Sequence, residues 1–165
     1  ETLMRNGCYS TNRDAVAVIN ELTGRLNEFS EQCNVAQAQG GGTHLDETKF
    51  QEAKDILCQE ARQLVTSSKI LIRCYMNPKS AEFQANLSQC VTQLRRMTVL
   101  SGNMTRHTSS PLQTRNLILK VADVLRTFHG LLVDTDVCTE TLTRHAEGLA
   151  NVLAKLLRSL RVFSP

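Results

Sequence analysis

The chain has no tryptophan, and aromatic residues fill only 4% of its 165 positions. Hydrophobic residues still reach 41%, so the interior has to be made of Leu, Val, Ile and Ala, which suit the seams between helices better than the faces of sheets. No apolar window approaches the roughly 20 residues of a membrane-spanning helix, and the opening ETLMRNGCYS lacks the hydrophobic centre of a signal peptide. No transmembrane segment is expected. Nineteen Lys and Arg against sixteen Asp and Glu give a formal charge of +3. Without any basic run the composition does not point to nucleic acid.

Catalytic and metal-binding patterns are scarce as well. His44, His107, His129 and His145 are scattered, with no Cys-x-x-Cys, no His-Glu-x-x-His and no evident carboxylate partner on a shared face. The run Gly40-Gly41-Gly42 follows no strand, so it is not a phosphate cradle. The expectation is a chain with no catalytic residues, no metal site and no cofactor.

Helical periodicity is abundant. Phe50, Ala53, Leu57, Ala61, Leu64, Ser68, Leu71 and Tyr75 step by three and four through the unbroken stretch Phe50–Met76. This stripe is the natural central wall of a bundle, and Ala53, Ala61 and Ser68 let neighbours approach closely. A first helix is expected over 14–38, capped by Asp14, with Ala15, Ile19, Leu22, Leu26, Phe29, Cys33 and Ala36 on a heptad-like seam. Residues 1–13 read as a loose lead-in. Gly24 inside that helix implies either a bend or a neighbour's backbone close by.

The glycines within 39–45 read as a linker. Asp46 or Thr48 then caps the second helix, which Pro78 stops, because a residue preceding proline avoids the helical region. A third helix starts near Lys79–Ser80, carries Phe83, Leu87, Cys90, Leu94 and Met97, and is expected to end at Ser101-Gly102-Asn103. Residues 104–110 read as a polar loop, with Ser109 or Ser110 capping a fourth helix that opens at Pro111. The cluster Asp134-Thr135-Asp136 competes for backbone donors and suggests a turn before a fifth helix that runs to about Val162. The fold class is all-α: an antiparallel up-and-down bundle of four or five long helices in one domain over 14–162.

Six cysteines at 8, 33, 58, 74, 90 and 138 admit two readings. An even count, together with the sequons Asn86-Leu-Ser88 and Asn103-Met-Thr105, fits a disulfide-bridged secreted cytokine-like bundle. Cys33 and Cys90 fall on apolar stripes, where a reduced cysteine behaves as a small hydrophobe, and this favours an intracellular protein. Arg62, Lys69 and Arg73 flank the stripe of the second helix, and Arg95 and Arg96 stand on the third. Such residues serve as a solvated face or as the rim of a groove that receives an acidic amphipathic helix. The spacing of Leu153, Leu156, Leu157 and Leu160 matches a docking helix but also any broad apolar face, and the core assignment is the simpler one.

The phrase Glu60-Ala-Arg-Gln-Leu-Val-Thr-Ser-Ser-Lys-Ile-Leu71, with small residues at its seam, resembles the helices of talin and vinculin rods and of focal-adhesion-targeting domains. Such bundles also close large scaffold proteins, and the chain resembles the C-terminal bundle of a FERM-and-PDZ-type scaffold. The resemblance implies a non-catalytic adaptor at adhesion sites, junctions or the cell cortex in the cytoplasm. Its helix–helix grooves would hold leucine-rich acidic motifs, and actin or another scaffold domain is a further class of partner. None of the binding residues of those families maps onto this chain, because the likeness lies in the packing pattern.

Overall fold

The stripes become helices, two of which start at a side-chain cap. The structure, a computed structural model, describes residues 12–40 and 46–162. It forms α1 (Asn12–Ala38), α2 (Glu47–Arg73), α3 (Ala81–His107), α4 (Pro111–Val133) and α5 (Thr139–Val162). Asp46, in an extended conformation, accepts a hydrogen bond from the Lys49 backbone N–H and starts α2, so Thr48 is not the cap. One 3₁₀ turn, Cys74–Met76, finishes α2 before Pro78. Ser80 caps α3 in the same way through the Phe83 N–H. The lead-in over 1–13 lies outside the described residues except for its last two, which are already helical. The linker falls partly outside them; within it Gly40 takes a positive φ of 85° just past α1, a conformation glycine adopts without strain.

Three expectations need correction. α1 is already helical at Asn12, so Asp14 sits inside its first turn and is not its cap. α3 does not stop at Gly102 but continues to His107, which shortens the polar loop to Thr108–Ser110. Gly102 is buried inside the helix beneath the ring of Phe29, where a Cβ would lie 2.7 Å from Cζ. Gly24 faces open space, with nothing within 4 Å of a built Cβ, so no neighbouring backbone explains it. The close approach therefore belongs to a different glycine from the one the pattern suggested. In the loop, Ser110 occupies the cap position of α4 without a side-chain cap bond. The Thr108 hydroxyl instead accepts from the Ser110 N–H and from Thr114 Oγ1, at 2.9 and 2.7 Å.

The Asp134–Asp136 turn is real. The Asp136 N–H donates to Asp134 Oδ1, and the Thr141 hydroxyl donates back to the Asp136 carbonyl, leaving five α-helices and not four among the described residues. α2, α3, α4 and α5 close a four-membered ring in which α2 pairs with α3 and α5, and α4 with α5 and α3. α1 lies in the groove between α3 and α4 and, among the described residues, beside neither α2 nor α5. It runs parallel to α3, with Phe29 over Gly102 and Cys33 beside Thr105, and antiparallel to α4, with Asn12 at Leu132.

Phe50, Phe83 and Phe128 are fully buried in the core with leucines of every helix. Tyr75 meets Phe83 edge-on at 5.3 Å between ring centroids. Leu153, Leu156 and Leu160 are buried and Leu157 packs against the core, which places the leucine spacing of α5 inside the bundle. No helix among the described residues is long and apolar enough to cross a membrane.

Candidate functional site

The residues that stripe analysis leaves over are the apolar ones on the wrong side of a helix. On α2, Ile56 is 45% exposed, and on α3, Val99 is 43% exposed. Isolated exposed hydrophobes are ordinary, and what distinguishes these two is that they adjoin across a seam. Ile56 and Val99 share one hollow of about 260 Å³ with Leu100, Glu60, Arg95 and Arg96, and its walls are almost wholly apolar. The arginines therefore contribute their methylene stems to the walls while their heads stand at the edge.

Ile56 and Leu100 also line a second hollow of about 400 Å³ with Lys49, Glu52, Ala53, Asn103 and His107. The two hollows make one groove along the α2–α3 seam. From Lys49 to Glu60 on α2, and from His107 back to Arg96 on antiparallel α3, it extends three helical turns, or ~16 Å. A helix of about three turns matches that length.

The polar groups of this seam are incompletely paired. Arg96 Nη1 stands 3.7 Å from Glu60 Oε2, with the Glu60 side chain only 12% exposed against 61% for Arg96. Glu60 Oε1 and His107 Nδ1, at opposite ends of the groove, are buried without hydrogen-bond partners. Gln93 Oε1, also on α3, shares that condition. A buried acceptor left unsatisfied costs about 1–3 kcal/mol, so such atoms call for a physical reason.

The basic residues singled out in the sequence separate here. Arg95 and Arg96 rim the α2–α3 groove. Arg62 lies on the opposite flank of α2, in a more polar hollow with Lys54, Cys58, Leu157 and Arg161 at the α5 seam. Lys69 and Arg73 are exposed and line neither hollow. The five residues thus do not share one rim. Ile56, Val99, Leu100 and Lys49 are among the groove residues that sequence reasoning missed. The available signal was a large apolar side chain standing among polar ones on the outer face of each helix.

The histidines also rearrange. His107 occupies the last turn of α3 and not a loop. His145 Nε2 lies 2.7 Å from Asp134 Oδ2, a carboxylate–histidine pair formed across the α4–α5 turn. This bond, helped by the Asp136 N–H, holds the half-buried Asp134 carboxyl below its ordinary pKa. The pair pins the turn and is remote from the groove.

The five described cysteines are free. Burial pushes the Cys90 thiol up to about 12 and raises Cys33, whereas a hydrogen bond with Thr141 lowers exposed Cys138. Among the described residues no group of three or more His, Cys, Asp and Glu side chains is placed to hold a metal ion. No known protein family and no curated protein matches the chain.

Proposed function

We propose that this chain is a non-catalytic protein-interaction module whose α2–α3 groove receives a short, leucine-rich amphipathic helix bearing acidic residues. The observation that carries the proposal is the apolar seam of Ile56, Val99 and Leu100 left open between the stems of Arg95 and Arg96 at one end and, about three turns along, Lys49 at the other. An amphipathic helix would cover the exposed hydrophobes, and its flanking carboxylates would meet the basic heads. The likeness of residues 60–71 to talin, vinculin and focal-adhesion-targeting helices supports placing the module in a cytoplasmic scaffold at the cell cortex or an adhesion site.

Charge reversal tests the site. Arg95→Glu with Arg96→Glu weakens binding of an acidic leucine-rich helical peptide by roughly tenfold or more without loss of helicity. Lys69→Glu with Arg73→Glu, on the other flank of α2, leaves that affinity unchanged. The reverse outcome would move the site away from the α2–α3 seam.

A further inference from the structure

Glu60 is the acid of the hollow that Arg95 and Arg96 rim, while the other acid of the groove, Glu52, lines the second hollow beside Lys49 and His107. Glu60 Oε2 reaches Arg96 only at 3.7 Å, beyond hydrogen-bond range, and its Oε1 is buried with no donor. A helix seated over Ile56 and Val99 covers Arg96 and Glu60 together and removes the water that solvates them. If a ligand carboxylate then draws the Arg96 head toward itself, Glu60 loses that cation while becoming more deeply buried. An all-acidic ligand adds a second negative charge beside it, and like charges brought together in a covered site are strongly unfavourable.

We propose that Glu60 is the specificity-determining residue of the α2–α3 groove, and that its partner is an amphipathic helix of both signs: carboxylates that meet Arg95 and Arg96, and one lysine or arginine that meets Glu60. This rests on the docking reading above and adds the base. On a helical ligand, acid and base three or four residues apart lie on one flank about one turn apart, which suits the Arg96–Glu60 pair facing each other across the seam. The result is an alternating network in which Arg96 is shared between Glu60 and a ligand carboxylate, and Glu60 between Arg96 and a ligand cation. Truncating one member of such a network leaves its partner buried and unpaired, so Glu60 acts mainly by penalising ligands that lack the base.

The experiment titrates the whole chain with a helical peptide of about twelve residues. It has leucines at i, i+3, i+4 and i+7 and glutamates on both flanks. A peptide series in which lysine replaces one flanking glutamate at a time completes the set. One lysine position is expected to bind roughly tenfold tighter than the all-glutamate peptide. Glu60→Gln, which preserves side-chain shape, is expected to erase that preference and to bind the all-glutamate peptide better than the unsubstituted chain does. If lysine weakens binding at every position, equally with Glu60 and with Gln, while Val99→Glu still abolishes binding, the groove stands and the role of Glu60 is overturned. If no peptide in the series binds, the docking reading falls and this inference falls with it.

Discussion

The ring of Phe29 on α1 lies over Gly102 of α3 so closely that a Cβ built on the glycine would meet Cζ at 2.7 Å and both Cε atoms at 3.1 Å. The absent side chain sets how near α1 comes to the bundle. Glycine inside a helix is disfavoured by about 1 kcal/mol against alanine, so Gly102 is retained against helix propensity for the sake of this contact.

Gly102 and Gly24 should therefore respond oppositely to alanine. Gly24→Ala, in open space, raises the free energy of unfolding by about 0.5–1 kcal/mol. Gly102→Ala forces the Phe29 ring to retreat and lowers it by about 1–2 kcal/mol, propensity notwithstanding. Combining Gly102→Ala with Phe29→Leu costs less than the two changes summed, because the residues are in contact. Urea unfolding of the four variants checks all three statements.

Tyr75 joins three helices. Its hydroxyl donates to the Leu131 carbonyl at 3.2 Å and accepts from Asn12 Nδ2 at 2.7 Å, while Asn12 also donates to the Leu132 carbonyl. Burial pushes its pKa from 10.0 up to about 12. An unfolded chain releases this proton near its ordinary value, so the contribution of Tyr75 is fully present below about pH 10 and is lost as pH rises toward 12. Tyr75→Phe lowers stability by about 1 kcal/mol at neutral pH through the lost hydrogen bonds. Its stability profile between pH 10 and 12 is flatter than that of the unsubstituted chain, which denaturation at stepped pH reads directly.

Thiol reactivity should follow burial and thiolate character. Cys138 is exposed beside the Thr141 hydroxyl, which favours its thiolate, whereas Cys90 is enclosed in the core. Among the five described cysteines, iodoacetamide under native conditions modifies Cys138 first, and Cys90 last, only as the bundle opens. Peptide mass spectrometry over a time course gives the order, and early labelling of Cys90 contradicts the packing described here.

Much of the bundle was legible because each helix keeps its apolar residues on one face with a 3.6-residue period. Asp46, Ser80 and Pro111 mark helix starts through backbone chemistry that acts within a few residues, and Asp134 and Asp136 mark a break for the same reason. The meaning of Gly102 was not legible. A glycine after an apolar stripe ends a helix or admits a neighbour, and only the arrival of Phe29 from α1 decides which. The groove escaped for a related reason. Arg62, Lys69 and Arg73 visibly flank the stripe of α2, but local pattern does not say that α5 lies on their side and α3 on the other. The order of helices around the ring settles that, and it depends on α1 filling the space between α3 and α4.

The most direct measurement is amide chemical-shift mapping of the isotope-labelled chain during titration with the acidic leucine-rich peptide, repeated with Val99→Glu. Saturable shifts confined to Ile56, Glu60, Arg95, Val99, Leu100 and their immediate neighbours, abolished by Val99→Glu in a chain of unchanged helicity, are the predicted result. Shifts centred on Arg62 and α5, or binding that persists undiminished in Val99→Glu, would contradict the assignment of the α2–α3 groove.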